Sequence, residues 1–230
     1  MSRLVVVTGG TKGIGKAVAD RFAAAGDRVE AVGRDRLDVT DEEMVGAFFE
    51  HVGPVDVLVN NAGVAWSAPL ERTTLDDWNR HIEVNATGAF LCTRAVIGGM
   101  IERGDGRIVT VASVAGLAGA RYTAAYAASK HAAIGLMRAA ASEAAGSGVT
   151  ANAVCPTWVS TDMTTRTVDN IVEKTGRSAE EAEASLVMMA PLGRLLEPEE
   201  VAHAVAFLAA PEAGAINGQT LVLDGGGIQS

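Results

Sequence analysis

The sequence predicts an α/β fold, a single domain over residues 1–230 built on a doubly wound parallel sheet. Three observations carry this. Short β-branched runs alternate with longer helical patterns along the chain, the signature of repeated βαβ units. Runs such as Leu4-Val5-Val6-Val7 are apolar without alternation, which suits strands covered by helices on both faces. No repeat, low-complexity linker or composition break divides the 230 residues, a length that one sizeable core can hold.

The first strand is expected at Leu4–Val7, followed by a glycine-rich turn and a helix over Ile14–Ala25. A second strand falls at Val29–Val32. Only about four residues separate it from Leu37-Asp38-Val39-Thr40, too few for a crossover helix. The helix between strands 2 and 3 is therefore shortened or absent, if Leu37–Val39 is that third strand. A helix over Asp41–His51 leads to a strand at Val55–Val59. A long helical pattern over Leu75–Met100 precedes the strand Arg107–Ala112, and an alanine-rich helix over Ala124–Ala145 precedes Val149–Val154. Segment 161–190 is polar and methionine-bearing with no clean strand signal, and reads as a helical lid over the carboxyl edge of the sheet. Helix Pro198–Ala209 and strand Thr220–Leu223 close the pattern.

Composition narrows the function. The net charge of −9 disfavours nucleic acid or an anionic membrane as partner. Cys92 and Cys155 lie in apolar surroundings without paired spacing, which fits a reducing, cytoplasmic compartment. The apolar stretch near the start, Leu4–Val7, is too short for a signal peptide or a membrane span. No metal-ligand pattern is expected.

Thr8-Gly9-Gly10-Thr11-Lys12-Gly13-Ile14-Gly15 sits between the first strand and first helix. Gly9, Gly13 and Gly15 at that junction let the chain turn tightly, approach a pyrophosphate and pack helix on strand. The amides opening the helix then favour an anion. A dinucleotide is the expected ligand, and the fold is Rossmann-type.

Tyr126-Ala127-Ala128-Ser129-Lys130 is the most informative stretch. With two tyrosines and four lysines in 230 residues, a chance Tyr-x-x-x-Lys is roughly a 3% event. On a helix, residues i and i+4 lie one above the other. Free tyrosine titrates near 10. A cation about 4 Å away at an effective dielectric of 20 favours phenolate by roughly 4 kcal/mol, on the order of three pKa units.

Thr8-Gly9-x-x-x-Gly13-Ile14-Gly15, Asn60-Asn61-Ala62-Gly63, Asn85, Ser113 and Tyr126-x-x-x-Lys130 together resemble the compact branch of the short-chain dehydrogenase/reductase family. The likeness extends to Asn217-Gly218-Gln219 and Asp224-Gly225-Gly226. It implies hydride transfer between a nicotinamide and a carbonyl or alcohol carbon, with relatives acting on 3-oxoacyl compounds and small ketones. By resemblance, Tyr126 is the general acid or base, and Lys130 lowers its pKa and bonds the nicotinamide ribose. Ser113 holds the substrate oxygen, and Asn85 bends its helix and holds a water linked to Lys130. Thr11, Lys12, Ile14, Asn61, Ala62, Gly63, Pro156, Val159 and Thr161 join the glycines around the cofactor. Asp38-Val39 matches the adenine contact, with a helix N-cap region as the alternative. Thr157 stands where the family usually has glycine.

Gly33 and Arg34 occupy the end of the second strand, where an acidic residue would exclude a 2′-phosphate. A guanidinium there suits phosphate, and Lys12 adds a second cation, so the expected cofactor is NADP(H), with NAD(H) as the alternative. Trp66, Val114, Tyr122, Trp158 and Met163, with Met188 and Met189, are candidates for an apolar substrate pocket or for lid packing. A homotetramer, or a dimer, is implied by resemblance alone. The rival readings are a catalytically silent redox sensor and a nucleotide-sugar epimerase. The sensor predicts loss of Ser113, Tyr126 or Lys130, and all three are present.

Overall fold

The computed structural model describes residues 2–229. Six parallel strands form one sheet: β1 (Leu4–Thr8), β2 (Arg28–Val32), β3 (Val57–Asn60), β4 (Gly106–Val111), β5 (Val149–Pro156) and β6 (Thr220–Leu223). Their order is β2-β1-β3-β4-β5-β6. From β1 the chain steps outward to β2, then returns past β1 to β3. The crevice at the carboxyl ends of β1 and β3 is thus the switch point where such sheets bind ligands.

Both faces are covered, as the continuous apolar runs require. On β1, Leu4 and Val6 face one core while Val5 and Val7 face the other. The first core receives α2 (Glu42–Val52), α4 (Gly88–Arg103) and α5 (Ala124–Glu143) through Phe48, Leu91, Met100, Ile134 and Met137. The second receives α1 (Gly13–Ala24) and α8 (Pro198–Leu208) through Val18, Phe22, Val201 and Val205. Sequence chemistry sets several helix starts. Asp41 caps α2 by accepting from the Met44 amide at 3.0 Å. Thr74 and Asp77 form a capping box on α3 (Leu75–Ile82), and Pro198 occupies the first turn of α8.

Two expectations need correction. Leu37–Val39 is not a strand. The strand after β2 is β3, and the connection to it carries the full helix α2, so the helix between strands 2 and 3 is neither shortened nor absent. Leu37 and Val39 instead bury their side chains in the first core as a turn. The pattern over Leu75–Met100 is also not one regular helix, because a π-helical turn at Glu83–Thr87 separates α3 from α4. Such turns often sit at functional positions. Segment 161–190 is helical as expected, forming α6 (Asp162–Thr175) and α7 (Ala179–Val187) around a small cluster of Val168, Ala182 and Leu186. Its two ends are tied by a bridge between Val159 and Leu196.

Candidate active site

The glycine turn is shaped by contacts that exclude side chains. Gly9 has φ +64° and Gly13 φ +51°, where glycine is unstrained. A Cβ on Gly15 would run into the Gly9 carbonyl and the Asn61 amide, so helix α1 can meet the turn only as glycine. Asn61 locks the turn to the end of β3. Its amide nitrogen donates to the carbonyls of Thr8 (2.9 Å) and Gly9 (3.1 Å). The backbone amides of Asn61 and Ala62 in turn donate to the Thr8 hydroxyl, both at 3.0 Å. Lys12 precedes α1 in extended conformation, and no side chain caps the first amides of that helix. This open, uncapped terminus fits an anionic pyrophosphate. Thr161, at the start of α6, lies across the turn: a Cβ on Gly13 would meet its methyl at 3.3 Å.

At the end of β2, Gly33 is buried beside Thr11 and the Asp35 carboxylate. Arg34 is exposed and donates through Nε to Asp38 at 2.8 Å. The Asp38 carboxylate also accepts from the amide and hydroxyl of Thr40. Partial burial opposes its ionisation, but these bonds and the Arg34 charge hold it below the usual carboxylate range. Asp41, not Asp38, is the N-cap of α2. Val39 packs its side chain on Gly88 at the start of α4, which allows no Cβ there.

Ser113 follows β4 and opens a 3₁₀ turn at Val114–Gly116, its hydroxyl accepting from the Ala115 amide at 3.1 Å. Tyr126 and Lys130 lie one turn apart on α5. Lys130 is 6% exposed, and its ammonium donates to the Val111 carbonyl at 2.9 Å. A Cβ on Gly63 would lie 3.2 Å from Asn85 Oδ1 and 3.7 Å from Lys130 Nζ, so the loop after β3, the π turn and α5 converge here.

Both amide protons of Asn85 and its oxygen are engaged. Its oxygen accepts from the Val64 amide (2.8 Å), and its nitrogen donates to the Val64 carbonyl and the Ser129 hydroxyl (both 2.9 Å). The Ser129 hydroxyl in turn donates to the Tyr126 carbonyl at 2.7 Å. Asn85 therefore braces the loop after β3 against the helix that carries Tyr126. It lies inside the π turn, and its side chain makes no bond toward Lys130.

The electrostatics correct one expectation. Burial raises the Tyr126 pKa and outweighs the nearby Ser113 hydroxyl, which favours the ionised form. Lys130 Nζ lies 5.8 Å from the Tyr126 ring centroid and donates to the Val111 carbonyl, and burial depresses its own pKa to about 8. The lysine is thus a strained buried cation, and the phenol holds its proton at neutral pH.

Of the pocket candidates, Trp66 and Tyr122 line one small cavity with His81 and Ala125. Trp158 packs instead on the lid cluster, Met163 lies in the first turn of α6, and Val114 follows Ser113 directly. Met188 and Met189 are exposed at the end of α7. Thr157 needs no glycine conformation: its amide bonds the Leu223 carbonyl at 3.0 Å, and Tyr122 alone among the described non-glycine residues has positive φ. Pro156 ends β5 and Val159 is buried beside it, while Ile14 packs on the second core. His81 was not legible as a site residue, although its i,i+4 spacing from Asp77 places the two on one helical face.

Fold and site together define an oxidoreductase that works on carbonyl or hydroxyl carbon. A family model described as enoyl-(acyl carrier protein) reductase matches residues 29–227. Acetoacetyl-CoA reductase of Shinella zoogloeoides is 36% identical over 98% of this chain and 98% of its own. A putative ketoacyl reductase of Streptomyces coelicolor is 38% identical, covering 98% of this chain and 97% of its own. A crystal structure of actinorhodin polyketide ketoreductase with NADPH superposes with a TM-score of 0.88 at 35% identity, covering 98% of this chain and 97% of that one. The chain belongs to the short-chain dehydrogenase/reductase family.

Proposed function

We propose that this protein reduces a 3-oxoacyl thioester or small ketone to the secondary alcohol with NADPH. The observation that carries the proposal is that Ser113, just past the end of β4, lies beside the Tyr126 hydroxyl, with Lys130 buried one turn further along α5. The relatives' names, acetoacetyl-CoA reductase and ketoacyl reductase, support the substrate class. NADPH, when bound, supplies the hydride. Gly9, Gly13, Gly15 and the open N-terminus of α1 would hold its pyrophosphate, and Arg34 with Lys12 its 2′-phosphate. The exposed Arg34 guanidinium commits only Nε to Asp38, leaving its terminal nitrogens for that phosphate.

Tyr126 donates the proton to the substrate oxygen. Its raised pKa keeps the phenol loaded at neutral pH, which suits reduction, whereas oxidation would require the phenolate and would quicken as pH rises. Ser113 donates a hydrogen bond to the oxygen as negative charge develops. Lys130 opposes the charge left on the phenolate, an effect strengthened by burial. Residues 161–190 form the substrate lid. The reading extends to a cytoplasmic homotetramer or dimer, supported by exposed Phe90 and Ile101 on α4 and Phe207 on α8. Purified protein should oxidise NADPH in the presence of acetoacetyl-CoA. A silent redox sensor would bind the nucleotide without turnover.

A further inference from the structure

His81 is buried in the last turn of α3, between two aromatic rings that belong to the site. The Trp66 indole lies on it at 4.0 Å between centroids, tilted by 50°. The Tyr126 ring meets it edge-on at 6.2 Å and 73°. Its hydrogen bonds fix its tautomer. Nδ1 is 2.7 Å from the Asp77 carbonyl, which can only accept, so Nδ1 carries the proton. Nε2 is then a free lone pair, facing the Trp66 backbone amide at 3.4 Å. Trp66 is held a second time through its indole N–H, which donates to the Asp77 carboxylate at 2.8 Å. Asp77 and His81, four residues apart on one helical face, thus grip the same tryptophan by main chain and side chain. Trp66 and His81 share the lining of a small cavity with Tyr122 and Ala125, the residue before the catalytic tyrosine.

We propose that His81 is a positioning residue that, with Asp77, fixes Trp66 as the rigid side wall of the substrate cleft and steadies the Tyr126 ring from behind. The wall sets how well the acyl group beside the reacting carbonyl is held. Burial keeps His81 neutral, which preserves the lone pair that receives the Trp66 amide. This inference rests on the ketoreductase reading of the site.

The test is a double-mutant cycle. His81→Phe keeps a ring of similar size but loses both nitrogens, and Trp66→Phe keeps an apolar wall but loses the indole N–H. Each should raise KM for acetoacetyl-CoA by about 5–10-fold, the worth of a buried neutral hydrogen bond, with KM for NADPH unchanged. The double variant should lose little more than either single one, since both break the same clamp. Losses that multiply, or that fall equally on NADPH, would overturn the proposal. Should His81→Phe not fold, His81→Gln, which retains a donor for the Asp77 carbonyl, takes its place in the cycle. A substrate-free readout separates this inference from the function reading. The Trp66 indole N–H resonance, assigned by its loss in Trp66→Phe, should exchange faster with water in the His81 variant. An unchanged exchange rate would refute the clamp even if the wild type reduced no 3-oxoacyl thioester at all.

Discussion

Replacing Lys130 by methionine should stabilise the cofactor-free protein while abolishing turnover. The Lys130 pKa falls from 10.5 to about 8 because the ammonium is buried. At 1.36 kcal/mol per unit, keeping it charged costs the fold ~3 kcal/mol. Methionine fills similar volume without that cost but leaves the Val111 carbonyl without its 2.9 Å bond from Nζ, a loss of about 1–3 kcal/mol. The balance is a gain of ~0–2 kcal/mol, at most roughly 4–8 °C in Tm for a domain of this size. The sign with pH follows from the direction of the shift. A base whose folded pKa lies below its unfolded value destabilises fully below pH 8, and the penalty fades as pH rises from 8 toward 10.5. Thermal unfolding without nucleotide, from pH 7 to 10.5, should therefore show Lys130→Met above wild type at neutral pH and the two converging in alkali. A variant less stable than wild type at pH 7, or a difference flat with pH, would refute the reasoning.

Tyr126→Phe should lower kcat by about 10²–10⁴-fold, the usual contribution of a positioned proton donor. NADPH affinity by fluorescence titration should stay close to wild type. Arg34→Ala should weaken NADPH by roughly 10–100-fold, as for loss of a hydrogen bond to a charged group, and leave NADH nearly unaffected. Gly15→Ala should fail to bind either nucleotide or fail to fold, because its Cβ collides with main chain at Gly9; normal binding with normal stability would refute the packing argument.

Much of this was legible from sequence for physical reasons. Continuous apolar runs marked doubly covered strands, and the glycine turn and Tyr126-x-x-x-Lys130 carried their own spacing. Leu37–Val39 misled because a short apolar triplet looks alike as a strand or as a buried turn. Here β1 pairs directly with β2 and β3, and nothing in the sheet receives the triplet. The π turn at Asn85 was foreshadowed only by an amide in mid-helix. The direction of the Tyr126 pKa could not be read from spacing, since i,i+4 places Lys130 near the ring without fixing where its nitrogen points. In the fold the ammonium turns to Val111 and burial decides the sign. His81 stayed hidden because a lone histidine in an amphipathic helix gives no sign of the two rings that enclose it.

The central claim, that this fold carries an NADPH-dependent carbonyl reductase, is tested most directly by following reduced nicotinamide absorbance with purified protein and acetoacetyl-CoA, supplying NADPH and NADH in turn. The account predicts turnover with a marked preference for NADPH. Tight nucleotide binding without turnover on any 3-oxoacyl thioester or small ketone would contradict it.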